Sequence, residues 1–486
     1  MQAFARVFFL PRMPHRVITA IILFIAIPTT AQQLTLDSCR TLALENNKKL
    51  QISKIKEEAA HYQQCAAATT YFPRIDAEGI YIHTPHKTSL LGSSDKKVIQ
   101  NLGNTIEESL KILIPQIPSS IISAPLNEIG NSIADALTLN TRNIFVANIA
   151  VTQPLFTGGK IIAYNKLTRL AREAAQNSSE CTRQDIIQET DQAYWLVVSL
   201  THKVRLARSY ITLTRELLKN IEKLKQQGMA TTADLLKVNV KLNEATTAHL
   251  KATDALSLAK MALCYICGLP LDSNPTLADE NINPYTSLIQ PSIIGLSIDN
   301  RPELKNLAIF GKISHQQTNI VRSDFLPHIA LTGGYTLSSP NLRDGFRRKF
   351  GGTWNVGIIM KIPIWNWGEG KYKIRAAKAQ ERIAQYTFEE ARNAMYLQLK
   401  QAQQQLHESY EHHSLALSNI STAQENLRNA NIAFAEGMYT SEELMQAQTA
   451  WLQAESTLID AKIDVILAHT QLLRVTGNLG IDYNSK

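Results

Sequence analysis

Chain-breaking residues are scarce in this sequence: among 486 residues there are only 21 Gly and 17 Pro. That scarcity is at odds with the three or so loop-rich domains the length would suggest, and it points to long helices. Five Cys exclude a disulfide-dense secreted module, the lack of a Gly period excludes collagen, and 44% apolar residues exclude a disordered chain. Long apolar runs are missing too. Beyond the N-terminal leader the best stretch, Ala193 to Leu200, is broken by Ser199 and flanked by Asp191 and Lys203. No transmembrane helix is expected, so any passage through a bilayer must use a closed barrel.

Acidic residues are absent from the first 31 positions, where Arg6, Arg12 and Arg16 precede or border the apolar run Val17 to Ile27 and small residues continue up to Ala31. This is the pattern of a cleaved signal peptide over 1–31, with no Cys at the cleavage point to carry a lipid. The formal charge of +8 falls to +5 beyond Ala31 and is scattered among acidic residues, which reads as solvated helix faces rather than a nucleic-acid surface.

Catalytic signatures are also missing. His407-Glu408-Ser409-Tyr410-Glu411 departs from a zinc-protease helix because Glu411 stands where the second His belongs, and no Walker loop, G-x-S-x-G or dinucleotide fingerprint occurs. Cys264 and Cys267 imitate a C-x-x-C pair, yet they sit at an apolar helix end before Gly268 with no companion pair, and read as packed and inert. Cys39 and Cys65 fall in one helical pattern about 39 Å apart, too far to bond. Neither an enzyme nor a cofactor is expected.

What the sequence does contain is a duplication. At an offset of 254, Leu42 meets Leu296, Asn46 meets Asn300, Leu50 meets Leu304, Pro73 meets Pro327 and Tyr81 meets Tyr335. At an offset of 209, Pro154 meets Pro363, Gly228-Met229 meets Gly437-Met438, Thr231 meets Thr440 and Gly268 meets Gly477. The 45-residue difference between the offsets is an insertion in the first half. The organisation expected is a first repeat over 32–268, a linker or equatorial segment over 269–299, and a second repeat over 300–486.

Each half reads as helix, strand, loop, strand, very long helix, tight turn and returning helix, the first helix of the chain running from about 34 to 70. Strands are expected near 71–83 and 142–156 in the first half, and near 326–338 and 352–366 in the second. Some ten alternating residues, with aromatics toward the ends, suit a tilted membrane strand. The proline-free stretches after each strand pair carry apolar residues at helical spacing, such as Leu206, Tyr210, Leu213, Leu217, Ile221 and Leu224. Gly228 and Gly437 mark the reversals, with Asp234 and Glu443 in the first turns of the returning helices. Four strands cannot close a barrel, so three copies are expected to pool twelve. The fold class is therefore an α+β membrane protein, a duplicated unit of coiled-coil helices and four strands forming a trimeric 12-stranded barrel continued by a helical barrel. The insertion over 83–142 is expected outside the cell, with short helices over Ile106 to Ile114 and Ile121 to Leu137 interrupted by Pro115, Pro118 and Pro125, as a cap over the barrel mouth or a disordered surface loop. The competing class is a periplasmic coiled-coil structural or adhesion protein, which would not need the amphipathic strand pairs.

The run Leu34 to Leu50, the Phe72-Pro73 and Leu326-Pro327 strand starts, the Pro154 to Lys160 strand exit and the turns Gly228 to Leu236 and Gly437 to Met445 together resemble the TolC-type outer membrane efflux proteins. The resemblance implies a homotrimeric exit duct of a tripartite efflux or type I secretion system. It would sit in the lipid of a Gram-negative outer membrane with a large periplasmic extension, partnered by a periplasmic adaptor (membrane fusion) protein and an inner-membrane RND or ABC transporter. It implies adaptor docking at Gly228, Met229, Thr231, Gly437, Met438 and Thr440. Residues before the glycine depart from the family pattern, with Leu224-Lys225 and Ala433-Phe434 in place of an arginine or tyrosine. A periplasmic gate is implied at Glu443, with Asp234 in the matching position and Gln446 where a further acidic residue would be expected.

Overall fold

The computed structural model describes residues 33–85, 88–111, 119–139, 142–283, 296–341 and 349–480. The leader over 1–31 and the middle of the 269–299 segment lie outside them. The chain begins with α1 (Leu36–Asn46) and α2 (Lys48–Thr69), and its mass is dominated by two helices of 67 residues each, α6 (Lys160–Gln226) and α9 (Glu369–Ala435). At the helical rise each long helix spans about 100 Å. Each starts behind a glycine pair or Trp-Gly step whose last residue, Gly159 or Gly368, has positive φ, and each ends at a tight reversal. The returning helices α7 (Thr232–Cys267) and α10 (Ser441–Thr476) are both 36 residues long. Equal lengths in the two halves are the duplication seen in three dimensions. α2 and α8 (Pro302–Ser323) match as well, at 22 residues each.

The expected helix over about 34–70 is broken at Asn47. Its backbone is extended there, its side-chain oxygen caps Lys49 N–H, and its amide donates to the Ile266 carbonyl, so α1 and α2 are hinged against the end of α7. Cys39 and Cys65 therefore lie on different helices, and all five cysteines are free. Cys264 and Cys267 are both buried, the latter donating to the Cys39 carbonyl.

Four strands form one antiparallel sheet in the order β1 (Arg74–His83), β4 (Asn143–Thr157), β5 (His328–Ser339) and β6 (Gly351–Lys361). β6 stops at Lys361, short of the 366 expected, because Pro363 has no N–H to extend an edge ladder. The equivalent Pro154 is tolerated inside the central strand β4, where the register with β5 shifts between Pro154 and Phe156.

Between β1 and β4 the insertion is folded. It contains a short β-pair, β2 (Thr88–Ser89) and β3 (Thr138–Leu139), and three helices, α3 (Ser93–Gln100), α4 (Leu102–Lys111) and α5 (Ser119–Ala136). α3 is additional to the expected elements, and Pro125 lies inside α5 instead of interrupting it, forgoing a single N–H bond. Gly130 explains how the helices close up: a Cβ there would meet the Ile99 carbonyl at 2.0 Å, so only glycine permits the crossing of α3 and α5. The expected Ile106 to Ile114 helix falls on α4, and residues 112–118, with Pro115 and Pro118, lie outside the described residues.

The packing has no single centre. Tyr194, Trp195, Val197 and Val198 of α6 join Cys39, Leu263, Cys267, Ile459 and Ile463 in an equatorial core, while Leu399, Leu406, Leu472 and Val475 form its second-half counterpart. Ion pairs pin this level. Fully buried Asp191 on α6 accepts from Arg40 of α1 at 2.6 Å and from Thr470 of α10 at 3.3 Å, and Arg474 reaches Asp185 and Glu303. Asp191→Ala takes the paired contact from a largely buried guanidinium, leaving Asp37 at 3.6 Å as a carboxylate partner, and is expected to cost about 3 kcal/mol. A denaturant titration giving less than about 1 kcal/mol would show that the Arg40 contact is solvated.

Candidate functional site

Two surfaces of the fold have no core behind them, the sheet and the paired helix turns at the far end. In the sheet, the register sorts side chains across the central rows, while Ile80, Ile82, Ile144 and Val146 put apolar residues on the otherwise polar face at the loop end of β1 and β4. One face carries rows such as Ile75, Val151 and Val356, or Ala77, Ile149, Tyr335 and Trp354. The opposite face carries Glu78, Asn148, Thr336 and Thr353, with the Thr336 hydroxyl donating to Asn148 Oδ1 at 3.0 Å. Apolar residues on the first face stay open to solvent within one chain: Trp354 is 75% exposed, Val356 69% and Ile358 66%. Below the strands, at the helix side, Phe72, Phe156, Trp365, Trp367 and Tyr372 are all exposed. A sheet that is apolar on one side, polar on the other and rimmed by aromatics matches the two solvents of a membrane barrel wall, lipid and water.

The turns are built twice in the same way. After α6, Gly228 takes φ +76°, Met229 N–H donates to the Leu224 carbonyl at 2.8 Å and Gly228 N–H to Lys225 at 3.0 Å. After α9, Gly437 takes φ +74°, Met438 donates to Ala433 at 2.9 Å and Gly437 to Phe434 at 3.1 Å. These are paired C-terminal caps that require the left-handed conformation, which explains the glycines. Thr231 and Thr440 then open the returning helices in reciprocal capping boxes with Asp234 and Glu443. The Asp234 carboxylate accepts from Thr231 Oγ1 at 2.6 Å and N at 3.0 Å, and that of Glu443 from Thr440 N at 2.7 Å and Oγ1 at 2.9 Å. The threonine hydroxyl, with the N–H, holds the Asp234 carboxyl below its ordinary range, and the Thr440 N–H, with its hydroxyl, does the same for Glu443.

Met229 and Met438 stand exposed at the two turns, 67% and 70% respectively. The bases of the hairpins are locked together by Leu217, Ile221, Val238, Leu444 and Met445, so the expected docking residues lie at one end of the molecule. Gln446 lies apart from the turn residues. It lines a cleft of about 910 Å³ between α7 and α10, together with Lys237 and Glu442, which pair at 3.0 Å across the two hairpins. Glu442 raises the Lys237 ammonium above its ordinary value. The sequence reading missed this bridge. The duplication aligns Lys237 with Gln446 and Glu442 with Ala233, so comparing the halves carries no sign of complementarity.

Thr231→Ala and Thr440→Ala each remove the acceptor of one helix-opening N–H. Amide exchange at Asp234 or Glu443 is expected to quicken roughly fivefold, in line with ~1 kcal/mol for a lost cap, and unchanged exchange would deny the caps any part in holding the turns.

Comparison with known proteins agrees with this geometry. The family profile described as outer membrane efflux protein matches residues 115–269 and 293–478, one segment in each half. The probable outer membrane lipoprotein SilC of Salmonella typhimurium is 23% identical over 307 residues, covering 59% of this chain, and the chain spans only 65% of that relative's length. Outer membrane protein TolC of Vibrio cholerae is 19% identical over 351 residues, 69% of this chain and 77% of that protein. Among solved structures, outer membrane protein VceC of Vibrio cholerae superposes with a TM-score of 0.71 at 13% identity, covering 91% of this chain and 96% of that one. The chain belongs to the outer membrane efflux protein family, as a TolC-like outer membrane factor located in the outer membrane.

Proposed function

We propose that this outer membrane channel protein works as a homotrimer, the exit duct of a tripartite efflux or type I secretion system. The observation that carries this reading is the sheet. Its two faces are sorted into apolar and polar, and among the described residues its outer strands β1 and β6 have no partner on their outer edges. In lipid, unpaired N–H and C=O groups along an edge cost several kcal/mol each, so the edges must meet those of further copies. Three copies supply twelve strands, and the long helices prolong the barrel into the periplasm.

In this reading a periplasmic adaptor docks on Gly228, Met229, Thr231, Gly437, Met438 and Thr440, and an RND or ABC transporter in the inner membrane supplies the energy. Conduction through the duct is passive. The folded insertion over 83–142 lies on the extracellular side. Asp234 and Glu443 put fixed negative charge at the periplasmic mouth, with Gln446 one turn deeper as a neutral residue.

Purified in detergent, the protein is expected to run as a trimer in native mass spectrometry and to give ion conductance in planar bilayers. A monomer that stays in solution without detergent and conducts nothing would overturn the duct. A second expectation concerns Glu443 as gate. Because its folded carboxyl sits below the unfolded value of about 4.3, it keeps its charge at ordinary pH and loses it only as pH falls through the lower folded value. Cation preference of the closed channel should therefore persist down to that acidic range and be weakened at all pH in Glu443→Gln. Equal selectivity in the variant would remove Glu443 from the gate.

A further inference from the structure

We propose that the cleft between α8 and the first turns of α9 is a binding site for a phosphate group. The cleft holds about 640 Å³ and is lined by Arg322 from the last turn of α8 and by Lys378, Glu381, Arg382 and Gln385 from α9, with His315 opposite. Its charge is not balanced internally. Glu381, the carboxylate of the cleft, is already engaged, with one oxygen on His315 Nδ1 at 2.8 Å and the other accepting from the Thr318 hydroxyl at 3.2 Å. The neighbouring carboxylates are also committed, Asp324 to Lys160 at 2.8 Å and Glu369 to Lys373. Among the described residues, no carboxylate is within ion-pair distance of Arg322, Lys378 or Arg382.

Comparing the two halves of the chain shows that the scaffold does not need these cations. The same offsets that relate the repeats place His61 under His315, Ala68 under Arg322, Arg169 under Lys378 and Glu173 under Arg382. The equivalent pair α2 and α6 therefore packs with Ala68 and Glu173 in the places of two of the three cations. The second half keeps the helix geometry and adds positive charge to one cleft.

The residue types point to phosphate. Two guanidiniums offer planar, paired N–H donors that match phosphate oxygens and one ammonium adds a point charge, while the Gln385 amide at the edge of the cleft already donates to Glu389 at 3.3 Å. The site also lies below the aromatic rim. Arg322 is within a few residues of the start of β5, while Lys378 and Arg382 are about 14 and 20 Å along α9 from its first residue. A headgroup layer is roughly 5–8 Å deep, so a phospholipid phosphate would meet Arg322 first and a soluble phosphate compound could reach all three. The cleft lies within one chain, so a soluble phosphate source is independent of the trimeric reading, while a lipid source rests on the membrane placement proposed above.

The test uses the full chain in detergent and two probes. Inorganic phosphate is titrated calorimetrically in chloride buffer at matched ionic strength, and phosphatidylglycerol is offered in mixed micelles and read by native mass spectrometry. The expected result is binding of at least one probe that weakens about tenfold or more in Arg322→Gln/Lys378→Gln/Arg382→Gln, and is unchanged in Lys166→Gln/Arg169→Gln on α6. Loss of phosphatidylglycerol alone identifies a lipid headgroup as the source, and loss of inorganic phosphate a soluble one. Wild-type protein with no preference for phosphate over chloride and no retained lipid overturns the proposal whatever the variants do. So does equal binding by wild type and the triple variant, and Lys378→Gln alone serves if the triple variant folds poorly.

Discussion

An open sheet edge is the constraint on which the rest of this structure depends. Among the described residues β1 and β6 each pair on one side only, and the central rows of the sheet are sorted into an apolar and a polar face. In water such a sheet would expose a broad apolar face and two sticky edges, both aggregation hazards. In a bilayer the apolar face is satisfied at once, but the edges become intolerable. In the trimer proposed above, closure with other copies relieves both, and the long helices, rooted at the ends of the strands, share the same axis.

Helices of 67 residues cannot draw stability from one compact centre, so cohesion is distributed along seams and concentrated at the equator. There Asp191 and Arg474 link elements far apart in sequence, α1 to α6 and α10 to α8. Buried charge of this kind stabilises little compared with an apolar replacement of the same shape. Its geometric demands fix the depth at which the helices engage, which apolar seams of Ala and Leu would leave free to slide by a turn.

Much of this architecture was legible because it was written twice. The repeated Pro, Gly and Thr positions located the strand ends and the turns, since each marks a backbone requirement that any copy must meet: positive φ at Gly228 and Gly437, a hydroxyl cap at Thr231 and Thr440. Features without a twin were harder. The break at Asn47 depends on amide contacts with the end of α7, more than two hundred residues away, and no local propensity announces it. α3 escaped notice because it is two turns long with only Val98 and Ile99 apolar, too short for a pattern to repeat, and Pro125 misled because proline is read as a breaker where α5 in fact runs through it. The Lys237–Glu442 bridge joins non-equivalent positions, so internal comparison could not reveal it.

The differences between the halves then become the informative part. A duplicated scaffold would be expected to keep both copies alike wherever only packing matters, and it does so in the lengths of the long and returning helices and in cap chemistry. Its departures include a folded insertion on the first hairpin, the Asn47 break, a salt bridge across the tips, and surplus cations in the second-half cleft. In the proposed assembly all of these but the Asn47 break lie where the protein would meet something outside its own fold, at the loop side of the sheet, at the turns or beneath the aromatic rim. The half that lacks each such feature shows what packing alone requires, which is why these departures carry the proposals made above.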